Sequence, residues 1–184
     1  MKYLKLLAGG LFLFLAACST IGMPTGPTGK LDLVRDDIAS MLVAFDLPRG
    51  LAPAKGSLFT YDVANGGPAE HLRLTPLQAD IYDFPRELPP PAADRQYYLF
   101  AFTEIDKQAI RNAQLSAQQR GATATNVTVG MVPKLCTAGT VDPNYTTVSV
   151  YAVLPGRGAI PFLDGQLLSV LLQQPGSTQM GPCV

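Results

Sequence analysis

Hydrophobic residues along most of this chain recur with a period of two. Leu58 to Val63 sets Phe59, Tyr61 and Val63 on one side and Thr60 and Asp62 on the other, the alternation of a strand with one buried face. Glu70 to Thr75 repeats the pattern, with Leu72 and Leu74 inward and His71 and Arg73 outward. Gly66-Gly67-Pro68 between the two runs predicts a turn, and so a hairpin. Tyr97 to Thr103 is apolar on both faces, Tyr98, Phe100 and Phe102 against Tyr97, Leu99 and Ala101, and predicts a strand in the middle of the fold. Thr123 to Val132 alternates around Val127, Val129 and Met131, and Pro133 ends it. Thr146 to Leu154 alternates around Val148, Val150 and Ala152, with a turn at Pro155-Gly156. Leu31 to Leu47 carries two periods at once. Val34, Ile38, Met41, Leu42 and Phe45 fit a helix, yet Met41 to Leu47 reads as a strand stopped by Pro48. A strand over Ala39 to Leu47 is favoured, because the next segments of the chain are strand-like.

Two segments break from this period. Thr103-Glu104-Ile105-Asp106 reads as a capping box, opening a helix to about Arg120 with Gly121 as its stop. Ile105, Ala109 and Ala113 form its apolar line, with Ile110 and Leu115 nearby. Asp164 is expected to cap a short helix through Leu167, Leu168, Leu171 and Leu172, ended by Pro175-Gly176. Pro85 to Ala93, with Pro89-Pro90-Pro91, is expected to run as a stiff connection over the surface. The expected fold is mainly β: an antiparallel β-sandwich, immunoglobulin-like in outline although no Trp supports that pattern, with one mid-chain helix and a short C-terminal helix. The alternative is α+β, a single sheet with the helices on one face.

The N-terminus is different in kind. Lys2 and Lys5 precede an apolar run, Leu6 to Ala17, that closes with Leu15-Ala16-Ala17-Cys18. The run is shorter than the roughly 20 apolar residues of a membrane-spanning helix and has the flanks of a secretory signal. With its small pair leading into Cys18, the segment resembles the lipobox of bacterial lipoproteins. That resemblance implies cleavage before Cys18, a diacylglycerol on its thiol and acylation of the new N-terminus. Ser19 rather than Asp after it implies sorting to the outer membrane. Residues 1–17 are thus expected to be a signal peptide, 18–30 the lipidated Cys and a flexible tether rich in Gly, Pro and Thr, and 31–184 a single globular domain. Fully extended, about twelve tether residues reach some 40 Å. Gly29-Lys30 is no P-loop, since Pro24 occupies the place of the first Gly and Leu31 that of the Ser or Thr.

Charge and cysteines narrow the partners. The chain has 14 basic and 14 acidic residues; once Lys2 and Lys5 leave with the signal, 12 basic residues face 14 acidic ones. Such a balance, without a basic run, offers no footprint for nucleic acid and leaves the anchoring to lipid. Of the three cysteines, Cys18 is assigned to lipid. Cys136 and Cys183 then form an even pair in an oxidising compartment and are expected to be disulfide-bonded.

Candidates for chemistry are few. His71 lies mid-strand on the expected wet face, no Gly-x-Ser-x-Gly elbow occurs, and the paired cysteines leave no thiolate. Asp36-Asp37 and Glu104/Asp106 are the close carboxylate pairs a glycosidase needs, but solvation of an element's start and of a helix N-terminus accounts for them. Asp80 and Asp83 are too few for a calcium site, and no metal, cofactor or catalytic residue is expected. Tyr97, Tyr98, Phe100 and Phe102 fit a core strand better than a ligand cleft, while Tyr61, Tyr82, Tyr145 and Tyr151 are candidates for a partner surface. The expected role is a non-enzymatic structural or interaction module of an envelope or secretion assembly, lipid-anchored on the periplasmic face of the outer membrane. The alternative is a lipid-anchored carrier of a small apolar ligand, and a third reading, a hydrolase, requires distant acidic residues to converge.

Overall fold

The computed structural model describes residues 21–22, 31–64, 70–74, 77–78, 87–173 and 180–183. Residues 1–17, Cys18, the turn at Gly66-Gly67-Pro68, Asp80, Tyr82, Asp83 and the expected helix stop Pro175-Gly176 lie outside them. The strands are β1 (Ile21–Gly22), β2 (Leu42–Pro48), β3 (Leu51–Pro53), β4 (Leu58–Val63), β5 (Glu70–Leu74), β6 (Leu77–Gln78), β7 (Arg95–Ala101), β8 (Val127–Val132), β9 (Leu135–Thr137), β10 (Thr147–Leu154) and β11 (Gly158–Leu167); the helices are α1 (Glu104–Gln119) and α2 (Leu168–Leu172). A four-stranded sheet runs β1-β8-β4-β5, a five-stranded sheet runs β11-β10-β2-β7-β6, and β3 pairs with β9. Every pairing between these strands is antiparallel, so the fold is mainly β, as the alternation predicts.

The core lies between the two larger sheets. Phe59 and Tyr61 of β4 and Val129 and Met131 of β8 share one cluster with Val43 and Phe45 of β2 and Val148 and Val150 of β10. Phe59 bridges the layers, with its ring edge-on to Phe102 at 5.0 Å and to Phe162 at 6.1 Å. Two sheets, rather than one backed by helices, enclose the core. Their strand order differs from the immunoglobulin arrangement, in which strands ABED face CFG.

Several local expectations hold and several are corrected. Residues 31–41 are irregular apart from a 3-10 turn, Ile38–Ser40, and β2 then follows as the middle strand of its sheet. The strand at Tyr97, β7, lies one place from the edge, because the short β6 covers only its far end. It is still covered on both sides: Phe100 joins the main core, and Leu99 joins a second cluster with Ala44, Leu88 and Val153. Leu88 is buried while Pro89, Pro90 and Pro91 stay exposed. Thr60, expected on the wet face of β4, is buried as well.

The α1 helix begins where expected. The Thr103 hydroxyl accepts the Asp106 N–H at 3.1 Å and donates to the Asp106 carboxylate at 2.8 Å, and Gly121 ends it at φ +68°, a conformation free of strain only for Gly. Its buried face keeps Ile110 and Ala113 of the expected one but is turned away from Ile105 and Leu115. Ile110, Ala113, Gln114 and Ala117 face inward, whereas Ile105 is 82% exposed and Leu115 is exposed too. The difference lies in Gln114 and Gln118, whose amides donate to the carbonyls of Leu33, Asp36 and Val34 at 2.7–3.0 Å. Those carbonyls belong to the irregular 31–37 segment and lack ladder partners, so these hydrogen bonds orient the helix together with the burial of Ile110 and Ala117.

The C-terminal part holds the largest correction. Asp164 lies within β11, and α2 begins at Leu168 with Leu167 at its N-cap and no side-chain cap. Pro161 is compatible with β11 because that strand is a sheet edge. Gly165, at φ +59°, absorbs the irregularity between Val148 and Val150 in the register with β10, and Ser149 accepts its N–H at 2.9 Å. Among the described residues no helix is long and apolar enough to cross a membrane.

Candidate functional site

The cysteine pair comes together. Cys136 and Cys183, 47 residues apart, form a disulfide with a Cα–Cα distance of 4.9 Å. Backbone bonds flank it on both sides, Thr137 N–H to the Gly181 carbonyl and Cys183 N–H to the Thr137 carbonyl, each at 2.9 Å. The C-terminal residues therefore lie along β9, the small strand whose other side pairs with β3.

The carboxylates considered for catalysis have structural partners. Asp36 accepts the Asp32 N–H at 2.7 Å and pairs with Arg157 at 2.5 Å. Asp37 accepts the Ser40 N–H at 3.3 Å, closing the 3-10 turn. Glu104 pairs with Lys107 at 2.6 Å, and that hydrogen bond and positive charge hold its carboxyl below the ordinary value of 4.5. His71 stands opposite Asp62 in the β4–β5 register. Among the described residues no three His, Cys, Asp or Glu side chains gather in one place.

One half-buried ion pair has no counterpart among the sequence candidates. Arg95 Nε donates to Asp46 Oδ1 at 2.8 Å and Nη2 to the Asp46 carbonyl at 2.7 Å, while the same guanidinium reaches the Thr147 carbonyl at 3.3 Å. One side chain thus ties β7, β2 and β10 together at one end. The signal was present: Asp46 is a lone charge inside an apolar run, and a charge drawn into a sheet needs a partner.

The tyrosines divide between core and surface. Tyr61 is fully buried and donates to the Leu33 carbonyl at 2.8 Å, so it is a core residue and not a partner contact. Tyr151 packs edge-on against Tyr97, with centroids 6.4 Å apart, on the outer side of the five-stranded sheet. Burial, then the charge of Asp46, raises the Tyr97 hydroxyl above its ordinary value of 10.0. Tyr145 is different, being 86% exposed.

Tyr145 sits on a loop built to hold it. The Asp142 carboxylate accepts the Asn144 N–H at 2.9 Å, and the Asp142 carbonyl accepts those of Tyr145 and Thr146 at 3.2 and 3.0 Å. This is the Asx turn that Asp-Pro-Asn favours. The loop is then bonded to the first turn of α2, Leu168 N–H to the Thr146 carbonyl at 2.8 Å and Ser169 N–H to the Pro143 carbonyl at 2.9 Å. Leu167 and Val170, two further exposed apolar residues, flank that joint. A fixed loop thus presents an aromatic ring beside two aliphatic side chains, a composition suited to the centre of a protein contact. Tyr145 is legible in the sequence as a candidate; Leu167 and Val170 are not, because the end of β11 has the pattern of a helix start.

A shallow depression of about 230 Å³ is lined by Asp32, Val34, Arg35, Ala122 and Thr123. Binding sites for drug-sized molecules generally exceed about 300 Å³. Compared with protein-family models, with curated proteins and with solved structures, the chain matches none.

Proposed function

We propose that this chain is a bacterial lipoprotein, anchored through Cys18 on the periplasmic face of the outer membrane. There it acts as a non-enzymatic interaction module of an envelope or secretion assembly. The interaction reading is carried by the fixed loop that offers Tyr145 to solvent beside Leu167 and Val170. The address rests on the cationic, apolar and lipobox segments in their order, Lys2 to Cys18. The Cys136–Cys183 disulfide is the chemistry an extracytoplasmic compartment sustains.

A photoreactive amino acid at position 145, introduced into the full chain in cells, tests the reading. It should form an adduct with a specific envelope protein, while the same group at position 105, exposed but remote in sequence, should not. A specific small apolar molecule retained through gentle purification, with no protein adduct at 145, contradicts it and favours the carrier.

A further inference from the structure

The outward side of α1 carries a stripe of its own. Ile110, Ala113, Gln114 and Ala117 are buried, while Ile105, Gln108, Asn112 and Leu115 are exposed on the opposite face. Ile105 and Leu115 are 82% and 55% open to solvent. The spacing of three, four and three residues is that of a coiled-coil seam. Neither apolar residue serves the helix itself, which is capped by Thr103 and Asp106 and held to the domain by its other face.

The stripe reads the same in both directions: apolar, amide, amide, apolar, balanced about the level of Ile110. A second α1 laid antiparallel across a two-fold axis at that level sets Ile105 against Leu115 and Gln108 against Asn112, each twice. A surface that matches itself in this way is what an isologous contact requires. The amides fit as well. Gln108 Nε2 donates to Asn112 Oδ1 of its own chain at 3.0 Å. That bond does not use the Gln108 carbonyl oxygen or the Asn112 amide nitrogen, an acceptor and a donor, and the antiparallel arrangement brings this pair together across the axis. Ala109 and Ser116, both half-buried, edge the stripe with small side chains and allow approach to the roughly 8–10 Å of packed helices.

We propose that the outer stripe of α1 is a self-association surface, and that its partner is the antiparallel α1 of a second copy of this chain. Sixteen residues of helix extend about 24 Å, and one such pair buries less than the roughly 1,200 Å² of a standard interface. The exposed Arg111, one residue past the axis on the flank of the seam, faces its own like in the partner. The association is therefore weak and reversible. It is separate from the Tyr145 contact, since a group at position 105 joins the chain to its own copy and to no other protein.

The test uses the full chain in cells, expressed as two differently tagged copies with a photoreactive amino acid at position 112. The parent should give an adduct of doubled mass that contains both tags and joins position 112 of one copy to the segment around Gln108 of the other. Ile105→Asp in both copies, or Leu115→Lys in both, should lower its yield about tenfold by removing apolar contacts. One Ile105→Asp copy with one Leu115→Lys copy should restore it to near the parent level. Only the antiparallel pair sets the new carboxylate against the new ammonium and keeps Ile105 on Leu115 at the other end; a parallel pair joins 105 to 105 and gains nothing. The Cys136–Cys183 disulfide, measured in every sample, reports folding. No two-tag adduct from the folded parent overturns the proposal, as does a mixed pair no better than either variant alone.

Discussion

Gln114 is a polar side chain nearly closed off from solvent, and its amide bonds to the carbonyls of Leu33 and Asp36 fix how α1 meets the 31–37 segment. Each carbonyl keeps another donor, Tyr61 Oη for Leu33 and the Ile38 N–H for Asp36. Gln114→Leu should therefore destabilise the domain by about 1–2 kcal/mol, the lower part of the range for losing buried hydrogen bonds, measured by urea denaturation. A stability equal to or above the parent contradicts the assignment. Tyr97 offers a second test. Burial and the Asp46 charge raise its hydroxyl above 10.0, so the folded chain holds this proton more tightly than the unfolded one. The stability it contributes is complete below pH 10 and declines as pH rises through the folded value. Ultraviolet titration of Tyr97→Phe against the parent should show the loss of one late-ionising hydroxyl and a flatter alkaline decline. These two residues also mark how much is readable from sequence. Tyr97 is apolar enough to fall in place by alternation. Gln114 is not, because its burial answers to carbonyls 78 and 81 residues away, which no local period records.

Strands are the most legible elements where alternation marks the face that meets the core, as in β4, β8 and β10, although Thr60 and Ser149 on the polar side are buried as well. The elements missed are those whose pairing replaces burial as the reason for their shape. Strands β3 and β9 have three residues each, too few to show a period. In β11, Pro161 and Gly165 have the character of breakers, yet the edge tolerates the one and a register irregularity uses the other. The disulfide is legible through compartment chemistry and not through periodicity. It closes a 47-residue loop, so reduction should cost about 4 kcal/mol on the chain-entropy argument. Denaturation with and without reductant measures that loss. Because the bond ties the C-terminal residues to β9, reduction should first increase hydrogen exchange at Thr137 and Cys183, whose N–H groups bond across the seam. Unchanged protection there contradicts this account of the seam.

As a molecule, the chain joins a proposed address, written in residue order, to a body that sequence describes only by class. A signal and lipobox, as proposed for Lys2 to Cys18, are linear codes that residue order alone would carry. The Tyr145 contact surface is not linear. The exposed Tyr145, Leu167 and Val170 join a loop to the end of β11 and to α2. That surface has its proposed meaning only if the protein is held at a bilayer, so the anchor is the claim on which the account turns. The direct measurement is the intact mass and N-terminal peptide of the mature protein isolated from bacterial membranes. The account predicts a chain beginning at Cys18 with fatty acyl groups on that residue; a mature chain that begins elsewhere and carries no fatty acid contradicts it.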